Sequence, residues 1–172
     1  MKLYNEIKDH FRTYGFNWQD SVPILSSNPK LLFNISGGVI FESTISDGVT
    51  PEKARVVSVQ TCLRTDGWEK IGYSGRHHLA FDMLGHFSLY EDKEDKVKGV
   101  MIESAWNYLT QRLGINPGLL SATVHPQDTT SQKFGKNFGV KTAANDGNVT
   151  YTPTRNRCGV RTGDCLAKSA YE

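Results

Sequence analysis

Apolar residues recur at Leu3, Ile7, Phe11 and Tyr14, which places them on one face of a helix over residues 2–14, with Gly15 positioned to stop it. A loop carrying Pro23 and Pro29 follows. The apolar run Leu31-Leu32-Phe33-Asn34-Ile35 then predicts a short strand that breaks at Ser36-Gly37-Gly38, and Val39–Phe41 a second one. Residues 55–64 (RVVSVQTCLR) are rich in β-branched side chains and read as a strand, and residues 76–88 as another. The glycine-bearing stretch 65–75 between them makes the pair a long-armed hairpin. The charge run EDKEDKVK at 91–98 reads as a solvated helix start. Val97, Val100, Met101, Ala105, Tyr108, Leu109 and Leu113 continue it as a helical stripe to Gly114, and packing of this 94–113 helix across one face of the hairpin is expected. Residues 121–125 are a strand candidate. Residues 127–150 are polar and glycine-containing with no clear element, and the tail carries Arg155, Arg157 and Arg161 among Gly159 and Gly163. No internal repeat or low-complexity segment interrupts this pattern.

Composition narrows the class. A chain of 172 residues, 38% hydrophobic and 22% charged, suits one folded domain and excludes wholesale disorder. A net charge of +2 does not indicate a general nucleic-acid coat, although a local basic patch is compatible with it. No apolar run approaches the roughly 18–20 residues that span a bilayer. The opening MKLYNEIKDHF is amphipathic and lacks the apolar stretch of a secretion signal. Three scattered cysteines, Cys62, Cys158 and Cys165, do not make a disulfide framework, so a reducing, cytoplasmic setting is expected.

The densest polar cluster lies at the hairpin. Arg64 ends the first strand and Arg76-His77-His78 begins the second, so strand pairing would converge cations at one end of the sheet. Arginine grips phosphate oxygens bidentately, and Phe81 offers an aromatic face five residues beyond Arg76, so a nucleotide site is one reading. The plainer reading is a surface histidine pair and a core phenylalanine. Alternation along the strand sends only one of the two histidines toward any ligand. Metal binding is disfavoured, because the five histidines and three cysteines show neither Cys-x-x-Cys nor His-x-x-x-His spacing. A Walker loop and a Gly-x-Gly-x-x-Gly fingerprint are both absent.

The residues 60–64 (QTCLR), a loop and then 75–92 (GRHHLAFDMLGHFSLYED) resemble motif 2 of the alanyl-tRNA synthetases, Q-K-C-[IV]-R followed by R-H-H-T-F-F-E-M-L-G-N-F-S-F-G-D. Upstream, 21–38 (SVPILSSNPKLLFNISGG) resembles that family's V-P-S-S-S-L-V-P-x-x-D-P-[TS]-L-L-F-x-N-A-G-M, and Ala105-Trp106 with Leu109-Thr110 resembles A-W-E-[FL]-[LI]-T. Order and spacing agree over residues 3–125, whereas 126–172 diverge and match only loosely a glycine- and cysteine-containing strand of the family.

The resemblance implies an α+β class II synthetase-like fold, an antiparallel sheet flanked by helices, in a single domain spanning residues 1–172. It implies ATP, with Mg2+, as the nucleotide, activation of alanine or another small amino acid, and transfer to a tRNA or a non-tRNA acceptor. Carried over by position, Arg64 is the catalytic arginine on the α-phosphate. Arg76 and His77 or His78 match the end of the motif 2 loop, which approaches the β- and γ-phosphates, Phe81 is the candidate to stack on adenine and Met83 lines the same pocket. The departures are Ala80 for the first phenylalanine of a pair, Asp82 for a glutamate, and a shorter loop holding Trp68 and Glu69. The sequence also lacks a match to the family's motif 3 arginine, to its alanine-recognising tryptophan and to its tRNA-recognition and editing segments, which makes a truncated core the expectation. Arg155, Arg157 or Arg161, or a second subunit in a homodimer, are the candidates to supply the missing cation. The alternative implied is a non-catalytic paralogue acting as a binding or regulatory module.

Overall fold

The computed structural model describes residues 2–27, 29, 31–41, 55–75, 77–88, 94–124, 128–139, 141–144 and 158–161. The chain divides into two compact units, Met1–Tyr90 and Glu91–Glu172.

In the first unit, helix α1 (Lys2–Arg12) is followed by strands β1 (Asn17–Gln19), β2 (Arg55–Leu63) and β3 (Ala80–Ser88). The end of α1 is set by its sequence. Phe16 N–H donates to the Phe11 carbonyl at 3.2 Å and Gly15 N–H to Arg12 at 3.0 Å, with Gly15 at φ +81°. This is the paired closure that a left-handed glycine permits, and the accompanying apolar contact is the edge-on packing of Phe16 on Phe11 at 5.7 Å.

β2 and β3 pair antiparallel with Cys62 opposite Phe81 and Gln60 opposite Met83, while β1 runs parallel to β2 along its other edge. The sheet is therefore mixed and not purely antiparallel. Alternation along β2 sorts the side chains onto two faces. One carries Val57, Val59 and Thr61, with Asp82 and His86 opposite on β3. Helix α1 covers this face, with the Phe11 ring 5.0 Å from His86 and the Tyr4 hydroxyl donating to Asp82 Oδ2 at 2.7 Å. Ile7 and Phe11, predicted on the inner stripe, are buried, but Leu3 at the end of that stripe is exposed.

The second face carries Val56, Ser58, Gln60, Cys62 and Arg64. At one end it is closed by Ile40, Phe41 and Phe87 around Val56. There Gly85 and Gly37 leave room for the Phe87 ring, since a Cβ at Gly85 would stand 2.6 Å from Phe87 Cζ.

Two expected strands are absent. Residues 31–35 form only a single bridge, Phe33 to Leu25, and Val39–Phe41 is a turn of 3-10 helix. The Asn34 side chain and backbone turn inward to bond the preceding segment, which leaves no edge for a longer ladder. β3 begins at Ala80, so residues 77–79 lead into the strand, and of these Leu79 extends its pairing by one backbone bond.

In the second unit, α2 (Glu94–Asn107) continues into one π-helical turn, Tyr108–Arg112. Thr110 Oγ1 donates to the Trp106 carbonyl at 2.8 Å, competing for the acceptor the next α-turn would use, and Leu113 N–H reaches back to Tyr108. The buried positions of this helix are Gly99, Ser104 and Tyr108, while Val100, Met101, Ala105 and Leu109 of the expected stripe are half-buried. Strand β4 (Leu120–Val124) matches the sequence expectation closely. It lies between β5 (Lys141–Ala144) and β6 (Cys158–Arg161), both parallel to it. Helix α3 (Thr129–Asn137) links β4 to β5 in a stretch for which periodicity indicates no element. Asp128 caps it, accepting from Ser131 N–H at 3.0 Å and Ser131 Oγ at 2.7 Å. Among the described residues no helix is long and apolar enough to cross a membrane.

Candidate active site

Arg64 follows the last residue of β2 and is held from both sides. Its N–H donates to the Leu79 carbonyl at 2.9 Å, continuing the β2–β3 ladder one step past the strand. On the other edge Leu63 N–H donates to the Asn34 carbonyl at 3.0 Å, and the Arg64 Nε donates to the next carbonyl of that segment, Ile35, at 2.8 Å. The guanidinium carbon lies 5.3 Å from the Phe81 ring centroid. That is within cation–π range, and the interaction fits the strand register, because Phe81 sits opposite Cys62, two residues before Arg64 on the same face.

Met83 lies two residues farther along that face, half-buried, opposite Gln60. Gln60 is fully buried and its side chain acts as a piece of backbone. It accepts from Val22 N–H at 3.0 Å and donates to the Val22 carbonyl at 2.9 Å, extending the parallel pairing begun by β1. Cys62 is fully buried, its thiol donating to the Gln60 carbonyl at 3.4 Å. Burial pushes the thiol pKa up, against the lowering pull of Arg64, so it is a packed side chain and not an activated nucleophile. Asp82 points to the opposite face, where Tyr4 and Thr61 Oγ1 both donate to it and hold its carboxyl below the usual range.

The other candidates are placed differently. His77 shares a short hydrogen bond between its Nδ1 and Ser74 Oγ, and its ring packs on Gly67 so closely that a Cβ there would stand 3.0 Å from His77 Cδ2. It closes the loop on itself. His78 is exposed, and Arg76 lies outside the described residues, as do Arg155 and Arg157. The loop also exposes Trp68 and Tyr73, the latter at 93%.

The structure thus brings Arg64, Phe81 and Met83 together on one face, beside the Ile35 carbonyl. Reading by motif missed Asn34 and Gln60 as the groups that hold this corner. The available signal was a single amide in each of two apolar runs, LLFNI and VVSVQTCL, since a polar side chain in such a run needs a buried partner. Among the described residues no group of three or more His, Cys, Asp or Glu is placed to hold a metal, and Asp82, between Phe81 and Met83 in sequence, is engaged on the far face. These side chains do not fit a protein-held Mg2+, which favours oxygen ligands and commonly takes them from phosphates.

A basic side chain just past a strand end, within cation–π reach of a half-buried aromatic ring, is an arrangement suited to a phosphorylated ring compound. The family model described as "tRNA synthetases class II (A)" matches residues 4–150, and the chain belongs to that family. It is 36% identical over 125 residues to an alanine–tRNA ligase of Wolinella succinogenes, covering 70% of this chain and 14% of that protein. The corresponding enzyme of Helicobacter pylori is 34% identical over 144 residues, 80% of this chain and 16% of the relative. That of Staphylococcus epidermidis is 37% identical over 124 residues, 70% and 14% respectively. The chain therefore spans only a small fraction, 14–16%, of the length of these curated relatives.

Proposed function

We propose that this chain binds ATP on the sheet face carrying Arg64, Phe81 and Met83 and uses it to activate alanine or another small amino acid. The relatives are named as alanine–tRNA ligases, which supports an aminoacylation-type chemistry. The observation that carries the nucleotide reading is the guanidinium of Arg64 set 5.3 Å above the Phe81 ring, a cation and an aromatic surface at one point.

In this reading the amino-acid carboxylate oxygen attacks the α-phosphorus, the bond to the bridging oxygen breaks, and pyrophosphate leaves with the electron pair. Negative charge builds on the non-bridging α-oxygens as this proceeds. A guanidinium already oriented toward them lowers the barrier without reorganising, the type of contribution for which removal of one donor costs about 2.7–4 kcal/mol. Phe81 holds the ring of the nucleotide and Met83 lines the pocket beside it. The adenylate formed is the donor for transfer to a tRNA or another acceptor.

The test is an ATP titration together with pyrophosphate exchange, using alanine and other small amino acids, on the wild type and Arg64→Ala. ATP binding is expected, weakened by roughly 1.5–3 kcal/mol in the variant, the range for a hydrogen bond to a charged group. Absence of both ATP binding and exchange overturns this reading in favour of a binding or regulatory module.

A further inference from the structure

We infer that Asn34 is a positioning residue for Arg64, an inference that rests on the proposed role of Arg64 in holding ATP. Arg64 is exposed, and a free arginine side chain samples many rotamers. Here its Nε donates to the Ile35 carbonyl at 2.8 Å. That bond fixes the plane of the guanidinium and leaves the edge with both Nη groups for a bidentate ligand such as two phosphate oxygens. Among the described residues the guanidinium has no other hydrogen-bond partner.

The Ile35 carbonyl is a backbone group, so its place depends on what anchors its segment. That anchor is Asn34, which is 3% exposed and bonded in three directions. Its Nδ2 donates to the Pro23 carbonyl at 2.7 Å, its N–H to the Ile24 carbonyl at 2.8 Å, and its carbonyl accepts from Leu63 at 3.0 Å. The contact between residues 34 and 63 is followed one residue on by the contact between 35 and 64. The register set at Asn34 is thus handed directly to Arg64.

Pro23 offers no N–H of its own as a second tie, and its carbonyl is held by the side-chain amide of Asn34 at 2.7 Å. Without that amide, Pro23 loses a buried partner and residues 34–35 keep only the two backbone bonds. The Ile35 carbonyl then drifts, and the guanidinium is oriented for only part of the time.

The experiment is a double-mutant cycle on the full chain, read as ATP affinity by calorimetry, with melting temperature measured alongside. Val59→Ala serves as the control for simple loss of stability, because Val59 is buried under α1 on the opposite face. Asn34→Ala is expected to weaken ATP about tenfold in the wild type and by less than about twofold when Arg64 is already alanine. Val59→Ala is expected to lower the melting temperature while leaving ATP affinity within about twofold. If Asn34→Ala does not fold, Asn34→Ser is put through the same cycle.

Equal weakening by the Asn34 substitution in both backgrounds, or no weakening while Arg64→Ala does weaken ATP, overturns the positioning role and leaves the ATP site standing. Unchanged affinity in Arg64→Ala overturns both.

Discussion

The guanidinium of Arg64, the residue just past β2, and the ring of Phe81 on the antiparallel neighbour β3 lie 5.3 Å apart on the sheet face away from α1. The ring is half-buried. In the proposed function a purine stacks on this ring. Phe81→Leu is expected to weaken ATP by about 1–3 kcal/mol, the value of stacking one base on an aromatic side chain. Phe81→Tyr, which keeps the ring, is expected to bind nearly as the wild type. An ATP titration of the two variants checks this, and equal affinities for Leu and Tyr would remove Phe81 from the site.

The bond from Tyr4 to Asp82 ties α1 to β3, and both partners respond to it. The Tyr4 hydroxyl bond, with that from Thr61, lowers the Asp82 pKa, and the bond to Asp82 raises that of Tyr4. A carboxylate lowered in the folded state contributes stability above its unfolded value of about 3.9, which is lost as pH falls through the lower folded value. A phenol raised in the folded state contributes below about 10 and loses that contribution as pH rises through the raised value. The urea midpoint of the wild type should therefore fall at both extremes, and Tyr4→Phe should flatten both limbs. Parallel profiles for the two proteins would show that the contact does not persist in solution.

Asp128 is the start signal of α3 and also receives Lys98 Nζ at 3.1 Å. Burial pushes its pKa up, but the Ser131 backbone and hydroxyl bonds and Lys98 outweigh this and bring it below the usual value. Asp128→Ala is expected to cost about 0.5–2 kcal/mol, the range for losing such a cap. Asp128→Asn, which keeps an acceptor for Ser131 but not the charge facing Lys98, should cost less. Denaturant unfolding orders the three proteins, and an Asn variant as weak as the Ala variant would assign the stability to the ion pair instead.

Gly99 lies where α2 meets α3, and a Cβ there would stand 2.7 Å from Phe134 Cζ. Alanine at this position gains about 1 kcal/mol of helix propensity but overpacks by about 1–3 kcal/mol, so Gly99→Ala is expected to destabilise on balance. Pairing it with Phe134→Leu should recover part of the loss. Thermal unfolding of the single and double variants measures this, and a more stable Gly99→Ala single variant would mean the Phe134 ring moves aside freely.

Local order was legible wherever one element's own residues decide it. The stripe Ile7–Phe11 and the stop at Gly15 specify α1, because a helix is closed by contacts within a few residues. The β-branched run from Arg55 to Leu63 specifies β2, and the motif around Arg64 carries the family. What the sequence pattern left open depends on partners outside the apolar pattern of the element itself. The run Leu31–Ile35 has the composition of a strand, yet it becomes an anchor, because Asn34 finds Pro23, Ile24 and Leu63 and the backbone bonds are spent there. Asp82 lies between Phe81 and Met83 in sequence, but its bonds from Thr61 and Tyr4 hold it on the face without Arg64. His77 sits in the motif beside the expected phosphate positions, yet the loop folds it onto Ser74 and Gly67. Helix α3 has a weak apolar pattern and depends on its Asp128 cap and on Phe134 filling the space left by Gly99. In each case the residue type states what bond is wanted, and only the folded structure decides which group, three residues away for His77 and 78 for Asp82, provides it.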